Sequence, residues 1–219
     1  MRIMLLMVCC LLPLSCQEAV GVVNMDHNEE VKKMNDPKLK TATFGGGCFW
    51  CVEAIFQQVK GVHSVISGYS GGVKENPTYN DILSKKTKHA EVCQIKYDPK
   101  EVSFSELLEV FWKTHDPTTL NKQGNDVGPQ YRSIILYHSD EQKEIAEKYK
   151  QKLQDAKAWS NPIVTEIKPL TKFYSAEKYH QNYYSLNPNQ GYCAWVIQPK
   201  IEKFRKVFKD KLSDKAKTK

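Results

Sequence analysis

The fold is decided by the stretch Thr41-Ala42-Thr43-Phe44-Gly45-Gly46-Gly47-Cys48-Phe49-Trp50-Cys51-Val52-Glu53. Its first four residues alternate as in a short strand, and the apolar residues at 52, 55, 56 and 59 have helical spacing. Cys48 therefore lies at a glycine-rich turn from a strand into a helix. The first N–H groups of a helix lack partners and its dipole is positive there. The sequence thus predicts a lowered pKa and a reactive thiolate at Cys48, with glycines that leave the sulfur open to a substrate.

The rest of the chain predicts strands interleaved with helices. Strands are predicted at 62–69, 90–97 and 134–137, with a further candidate at 163–167. Helices are predicted at 79–83, after the capping box Ser103–Glu106, after Ser139, and at 201–212. The segment 116–129 is long, polar and punctuated by glycine, which is typical of a functional loop. These lengths favour an α+β fold with a small mixed sheet.

Length and charge limit the possible functions. The chain has 219 residues, enough for one domain with a sizeable core, and a net charge of +7. It contains neither zinc-finger spacing nor an RNA-recognition motif, so we interpret the lysines as a solvated basic face and expect no nucleic-acid partner.

The N-terminal region is predicted to be a targeting segment. Residues 3–14 form a short apolar run, so residues 1–16 are interpreted as a signal peptide. Ser15-Cys16 makes Cys16 a candidate lipid-anchoring site, and the alternative is a cleaved signal without lipid. Residues 17–40 read as a flexible tether, 41–212 as the catalytic domain and 213–219 as a basic tail. An exported protein is expected (periplasmic, envelope-anchored or secreted), or a cytoplasmic one if the leader is not cleaved.

A series of short motifs resembles the A-type peptide methionine sulfoxide reductases. The first is Gly-Cys-Phe-Trp at 47–50, and the others follow in the family's order: Gly68-Tyr69-Ser70-Gly71-Gly72, Asn76-Pro77-Thr78-Tyr79, His89-Ala90-Glu91, His115-Asp116-Pro117, the run 123–128, Gln130-Tyr131-Arg132-Ser133, Asn187-Pro188 and Gly191-Tyr192-Cys193. The resemblance covers nearly everything from Thr41 to Phe208. The resemblance implies a ferredoxin-like two-layer core with long wrapping coils.

The resemblance also implies an activity. It is the reduction of the S epimer of methionine sulfoxide, free or in oxidised proteins, to methionine. No cofactor and no metal are implied. The external reductant is thioredoxin or dithiothreitol, and we expect a monomer.

The resemblance also implies the roles of four residues in the reaction, and each role has a chemical requirement. Cys48 attacks the sulfoxide sulfur and becomes a sulfenic acid. Glu91 is the acid, which at neutral pH requires burial to raise its pKa. Tyr79 and Tyr131 match the tyrosines that donate hydrogen bonds to the sulfoxide oxygen.

Three further residues match substrate-binding positions. Phe49 and Trp50 match the family's pocket for the methyl group, where aromatic faces suit an S-methyl group. Asp126 matches a contact with the substrate backbone.

Recycling of Cys48 requires a second thiol, and two candidates are present. Cys193 matches the family's C-terminal recycling cysteine. Cys51 is the alternative, because it forms a CxxC motif with Cys48, at a position where many family members carry glycine.

Other interpretations of the same residues remain open. The CxxC motif alone would suit a thiol-disulfide oxidoreductase, and a cysteine-bound metal or structural module is a third hypothesis. The four cysteines beyond the leader could also form two structural disulfides. His89 and His115 are assigned supporting hydrogen bonds, and Glu177 with His180 a surface ion pair.

Overall fold

A six-stranded mixed sheet forms the centre of the molecule. The computed structural model describes residues 36–218. Its strands are β1 (Lys40–Gly45), β2 (Val62–Ser70), β3 (Ala90–Tyr97), β4 (Lys122–Gln123), β5 (Asp126–Val127), β6 (Ile134–Tyr137), β7 (Glu166–Pro169) and β8 (Phe173–Ser175). The sheet order is β7-β6-β1-β3-β2-β8, and β4 and β5 pair separately. Within the sheet, β6 and β7 are parallel and the other neighbours are antiparallel.

Helices and long coils surround this sheet. The helices are α1 (Phe49–Phe56), α2 (Tyr79–Leu83), α3 (Phe104–Thr114), α4 (Asp140–Asp155), α5 (Tyr183–Leu186), α6 (Gln198–Val207) and α7 (Asp214–Lys217). Short 3₁₀ turns occupy Pro129–Tyr131, Lys178–His180 and Lys209–Lys211, and a π-helix occupies Cys193–Ile197. The predicted capping box is present, since Ser103 and Glu106 bond reciprocally at the start of α3.

The main core lies between the sheet and α1, α3 and α6. Phe44 of β1 is fully buried there, with its ring 5.0 Å from the ring of Phe111 and 5.6 Å from that of Phe56. The alternation of β1 points Thr43 to the opposite face, where its hydroxyl lies 2.9 Å from His138 Nε2. A smaller apolar cluster of Ala90, Val92, Ile134 and Leu136 forms separately, covered by Leu170 and Phe173. The predicted α+β class, with a ferredoxin-like two-layer core and wrapping coils, is confirmed.

Two predicted elements differ from the structure. The strand expected at 163–167 is β7, which begins three residues later, at Glu166. The helix expected at 201–212 begins at Gln198 and ends at Val207. It ends early because the following backbone pairs with the end of α1: Lys60 N–H donates to Lys211 O, and Ser213 N–H donates to Gln58 O. Tertiary hydrogen bonds thus outweigh the helical pattern there.

The predicted leader, Cys16 and nearly all of the predicted tether lie outside the described residues. Within residues 36–218, none of the helices combines the length and the apolar character that a membrane span requires. Beyond the predicted domain boundary at 212, Ala216 of α7 is buried against the main core.

Candidate active site

The glycine turn places Cys48 directly before α1. Cys48 is the N-cap residue, and its carbonyl accepts the N–H of Cys51 at 3.0 Å. Gly47 has a φ of +96°, and a Cβ there would lie 2.6 Å from the Gln123 side chain. At Gly45 a Cβ would lie 2.7 Å from the carbonyl oxygen of Glu91. The glycines are therefore required for the close approach of the turn to β3 and to the 116–129 loop.

Glu91 provides a buried carboxyl group beside this turn. It lies on β3, is 2% exposed, and accepts the N–H of Phe49 at 3.1 Å. Burial, reinforced by the negative charges of Asp126 and Cys51, raises the pKa of Glu91 to about 8, although the Phe49 N–H acts in the opposite direction. The carboxyl group consequently retains its proton at neutral pH. A carboxyl group that acts as a catalytic acid at this pH requires such a raised pKa.

The phenols of Tyr79 and Tyr131 lie close enough to Glu91 and Cys48 for the charges of these two groups to affect their pKa values. Burial raises the pKa of Tyr79 to about 12, and the charges of Glu91 and Cys48 contribute. Burial and the same two charges raise the pKa of Tyr131 as well. Tyr79 begins α2 and Tyr131 ends a 3₁₀ turn, and both are half-buried. Both hydroxyls therefore keep their protons and can act as donors.

Aromatic rings form a wall beside the thiol. The Trp50 ring stacks on Tyr183 with centroids 3.6 Å apart and an angle of 5° between the planes. Phe49 is almost fully buried, with its ring 6.2 Å from that of Trp50. The Tyr192 ring meets the edge of Trp50 at 5.9 Å. Neither tyrosine was assigned a role from the sequence: Tyr192 lies within the motif Gly191-Tyr192-Cys193, and nothing local distinguishes Tyr183 among the 11 tyrosines of the chain.

The predicted surface position of His180 is wrong. Its ring is 2% exposed, and its Nε2 lies 4.0 Å from Glu177 Oε2. The His180 ring contacts the site instead, with its centroid 5.0 Å from that of Phe49 and 4.5 Å from that of Tyr79. Within residues 36–218, neither His180 nitrogen has a hydrogen-bond partner. The lack of partners for a buried imidazole is the signal that marks it as a site residue.

The loop after α3 brings Asp126 to the same site. Its carboxylate accepts the hydroxyl of Tyr192 at 2.7 Å. The loop is held by the Gln123 side chain, which bonds both the N–H and the carbonyl of Asp116 at 3.1 and 3.0 Å. His115 makes the supporting bonds that were expected, through Nδ1 to Phe111 O and Nε2 to Ser133 Oγ, each 2.7 Å. His89 does the same with Gly72 N–H and Lys74 O.

The predicted lowering of the Cys48 pKa is wrong. Cys48 is 7% exposed, and burial, followed by the hydrogen bond to Cys51 and the charge of Glu91, raises the pKa of its thiol well above the ordinary value. The position at the helix start offers too little stabilisation to overcome burial beside a carboxyl group. Cys48 therefore keeps its proton in the resting site.

The pKa of Cys51 is shifted in the opposite direction from that of Cys48. The hydrogen bond from Cys48 and the charge of Lys200 lower the pKa of Cys51 to about 7, against the effect of burial. Lys200 Nζ donates to Cys51 Sγ at 3.5 Å. The thiolate of this pair consequently lies on Cys51.

The remaining two cysteines of the described residues, Cys93 and Cys193, are both buried. All four cysteines within residues 36–218 are free thiols, so the two structural disulfides considered above are not formed. Cys93 donates to Phe49 O at 3.4 Å and is fully buried. Cys193 begins the π-helix and is also fully buried, and burial followed by the charge of Cys51 raises its pKa.

Metal-ligating side chains come together at one place in the described part of the chain. His63, Asp98 and Glu101 lie with ligand atoms within 4.8 Å of one another, and none of the cysteines belongs to this group. The arrangement offers no support for a cysteine-bound metal module.

The fold and the site together define a class of protein. A paired thiol, a protonated carboxyl group, two phenolic donors and an aromatic wall meet around one sulfur atom. These are the groups required by a thiol-dependent oxidoreductase that donates a proton to its substrate and takes an oxygen atom from it.

Comparison with known proteins identifies the family. The sequence profile described as peptide methionine sulfoxide reductase matches residues 40–212. The chain is 54% identical over 180 residues to a peptide methionine sulfoxide reductase of Polynucleobacter asymbioticus, covering 82% of this chain and 95% of the relative. It is 56% identical over 169 residues to one from Leptospira borgpetersenii, covering 77% and 95%. The chain belongs to the peptide methionine sulfoxide reductase family.

Solved structures agree with this assignment. The reduced form of Mxr1 from Saccharomyces cerevisiae superimposes with a TM-score of 0.66 at 36% identity, covering 72% of this chain and 91% of that one. Methionine sulfoxide reductase A of Corynebacterium diphtheriae gives a TM-score of 0.63 at 37% identity, covering 70% and 77%. The activity and the fold expected from the sequence motifs are confirmed at the level of the family.

Proposed function

We propose that this enzyme reduces the S epimer of methionine sulfoxide, free or in oxidised proteins, with Cys48 as nucleophile and Glu91 as acid. The observation that carries the assignment is the position of Glu91, a buried carboxyl group bonded to the N–H of the residue that follows Cys48. Its raised pKa of about 8 supplies a proton donor at neutral pH, next to the attacking sulfur.

The chemical step balances with groups already present. The sulfur of Cys48 forms a bond to the sulfoxide sulfur and then takes its oxygen, and Cys48 gives up its own proton to the Cys51 thiolate. Glu91 donates its proton to the oxygen. Methionine leaves with two more electrons than the sulfoxide had, and Cys48 becomes a sulfenic acid.

Substrate binding is assigned to the surrounding side chains. Tyr79 and Tyr131 would donate hydrogen bonds to the sulfoxide oxygen, because their raised pKa values keep both phenols protonated. Phe49 and Trp50 would enclose the methyl group. Asp126 would accept a hydrogen bond from the substrate backbone once the Tyr192 hydroxyl moves aside.

Recycling of the sulfenic acid by a disulfide and an external dithiol completes the proposal. A thioredoxin-like protein or dithiothreitol would reduce the disulfide. Cys193 stays a prediction as the resolving cysteine. The position of Cys51 on α1, three residues after the N-cap Cys48, and its pKa, lowered to about 7, support the alternative, Cys51. No metal or cofactor takes part in the proposed steps, and the enzyme is proposed to act as a monomer.

The principal test uses a racemic methyl sulfoxide with dithiothreitol. The proposal expects consumption of half of the racemate, with the R epimer left. Turnover of both epimers, or of neither, would contradict it.

A second candidate function is general thiol-disulfide exchange by the CxxC motif. The lowered pKa of Cys51, to about 7, is the observation that favours it. Reduction of insulin disulfides without turnover of a sulfoxide would support this candidate over the first.

Export is proposed for the whole protein, on the basis of the apolar run at 3–14 and the pair Ser15-Cys16. Residues 1–16 would be a signal peptide, with Cys16 as the anchoring site if lipid is attached. Mass spectrometry of the mature N-terminus in the native host tests this. A lipidated Cys16 supports anchoring, an unmodified cleaved end supports secretion, and an intact Met1 supports the cytoplasmic alternative.

A further inference from the structure

Lys200 makes one specific contact within the described part of the chain. Its Nζ donates to Cys51 Sγ at 3.5 Å, across 149 residues of sequence. None of the ion pairs within residues 36–218 involves Lys200. Its positive charge is therefore directed at the thiol of Cys51 rather than at a carboxylate.

Within residues 36–218, the other side chain that hydrogen-bonds Cys51 Sγ is that of Tyr192, whose oxygen is 3.8 Å away. A phenol has a single proton, and Tyr192 donates its proton to the Asp126 carboxylate at 2.7 Å. Within residues 36–218, the pKa of Cys51 is consequently lowered by Cys48, by the charge of Lys200 and by the more distant Tyr192, and Lys200 is the one of the three that carries a positive charge.

Lys200 is held in place by a rigid element. It lies on α6, and Arg205 of the same helix donates to Gln58 Oε1 at 2.6 Å, which ties α6 to the segment after α1. Both Lys200 and Cys51 line a chamber of about 10 Å³, and Lys200 also lines an adjoining cavity of about 370 Å³ together with Lys203. Lys200 thus lies between the larger cavity and the buried thiol, with its Nζ on the side of Cys51.

We propose that Lys200 is a positioning residue that favours the thiolate form of Cys51 when Cys51 resolves the sulfenic acid of Cys48. This inference rests on the proposed function, since it concerns the step that follows methionine release. It differs from the sequence prediction, in which Cys193 resolves.

The step balances in atoms and electrons. The Cys51 sulfur attacks the sulfur of the Cys48 sulfenic acid, an S–S bond forms and the S–O bond breaks. Cys51 is oxidised and Cys48 is reduced to the same level. The leaving hydroxide takes the proton that Cys48 had passed to Cys51 and departs as water. The disulfide then awaits the external dithiol.

Lys200 matters most at this step because the other donor has been consumed. Once Cys48 is a sulfenic acid, its S–H no longer donates to Cys51, and burial would raise the pKa of an unsupported thiol. The charge of Lys200 remains. Besides Lys200, the titratable groups that face Cys51 or share its chamber are Cys48, Glu91, Cys93, His115, Tyr192 and Cys193. Lys200 provides the positive charge in this set at neutral pH, because burial lowers the pKa of His115 to about 4.

The test compares Lys200→Met, Lys200→Arg and Lys203→Met. Lys203 is the matched control, since it lies on the same helix and lines the same larger cavity without contacting Cys51. In a single turnover with one equivalent of sulfoxide, methionine release and disulfide formation are measured separately by quenching, with dimedone trapping of the sulfenic acid. The readout is the ratio of the two rates across pH.

In the wild type the midpoint for disulfide formation should lie above the pKa of about 7 that Cys51 has in the resting site, because the Cys48 donor is absent at this step. Lys200→Met should move it upward by about one unit and lower the rate ratio at pH 7 by about tenfold, because the thiolate fraction falls tenfold per unit of pKa. Lys200→Arg should restore most of the rate, and Lys203→Met should match the wild type.

The outcomes separate the two proposals. A wild-type midpoint and rate ratio in Lys200→Met would overturn the role of Lys200. So would a Cys48–Cys193 disulfide with a free Cys51 after one turnover. Absence of methionine release by the wild type would instead overturn the proposed function.

Discussion

Cys48 and Cys51 lie three residues apart at the start of one helix, yet their surroundings have opposite electrostatic character. Cys48 lies beside the carboxyl group of Glu91, and its raised pKa keeps it protonated. Cys51 lies beside Lys200 and carries the thiolate. A helix-start N–H, that of Trp50, lowers the pKa of Cys48, but burial outweighs it. For Cys51 the hydrogen bond from Cys48 and the charge of Lys200, which comes from a distant part of the chain, act together against burial. The two environments favour attack by one sulfur and resolution by the other.

The largest loss of activity is expected from removing the thiol of Cys48. Cys48→Ser should abolish sulfoxide reduction even with excess dithiothreitol, because no sulfur remains to accept the oxygen atom. The measurement is methionine formation from a peptide that contains the sulfoxide. Activity comparable to the wild type would end the proposed mechanism.

The acid on the Cys48 side is tested next. Glu91→Gln should slow the chemical step about 10²–10⁴-fold at neutral pH, the usual range for general acid catalysis. The amide is close in size to the carboxyl group and can still accept the Phe49 N–H, so the circular dichroism spectrum should not change. Single-turnover methionine release measures the effect, and a normal rate would assign the proton to another group.

The Cys51 side is tested by steady-state turnover with thioredoxin. Cys51→Ser should release about one equivalent of methionine, more slowly than the wild type because the acceptor of the Cys48 proton is lost. Turnover with thioredoxin should then fall by at least about tenfold, because thioredoxin attacks a disulfide. Small thiols should restore turnover by reducing the sulfenic acid directly. Cys93→Ala is the matched control, since Cys93 is another buried thiol that contacts the backbone of Phe49, and its turnover should be normal.

Peptide mapping of the wild type after one oxidation complements this measurement. A Cys48–Cys51 disulfide is expected. A Cys48–Cys193 disulfide, together with a collapse of turnover in Cys193→Ser, would return the resolving role to the cysteine that the sequence predicted.

The effect expected on the pH profile is the smallest of these near pH 8 and grows above it. The carboxyl group of Glu91 donates a proton only below its folded-state pKa of about 8. The rate of single-turnover methionine release should therefore fall above pH 8, by about tenfold per unit well above the pKa. Glu91→Gln should lose this alkaline limb. A wild-type rate that stays constant from pH 7 to 10 would show that the proton comes from elsewhere.

The sequence by itself determined the strand, the glycine turn and the helix around Cys48, because their residue spacings are local properties of the chain. It placed strands 90–97 and 134–137 at the residues where the structure has them. Its motifs, in order, identified the family. It also stated that Glu91 would need burial to act as an acid, and the 2% exposure of this residue meets that condition.

Only the tertiary structure decided the charges and the full membership of the site. His180 has a spacing that suits a surface ion pair, and folding buries it against Phe49 and Tyr79 instead. The early end of α6 depends on bonds to the end of α1. The prediction of a lowered Cys48 pKa failed because a sequence can predict that a residue begins a helix, whereas it does not show how deeply that residue is buried. The hydrogen bond from Cys48 lowers the pKa of Cys51, and so does the charge of Lys200. Lys200 lies 149 residues away and is brought to 3.5 Å from the Cys51 sulfur, and a Coulomb interaction depends on distance in space rather than along the chain.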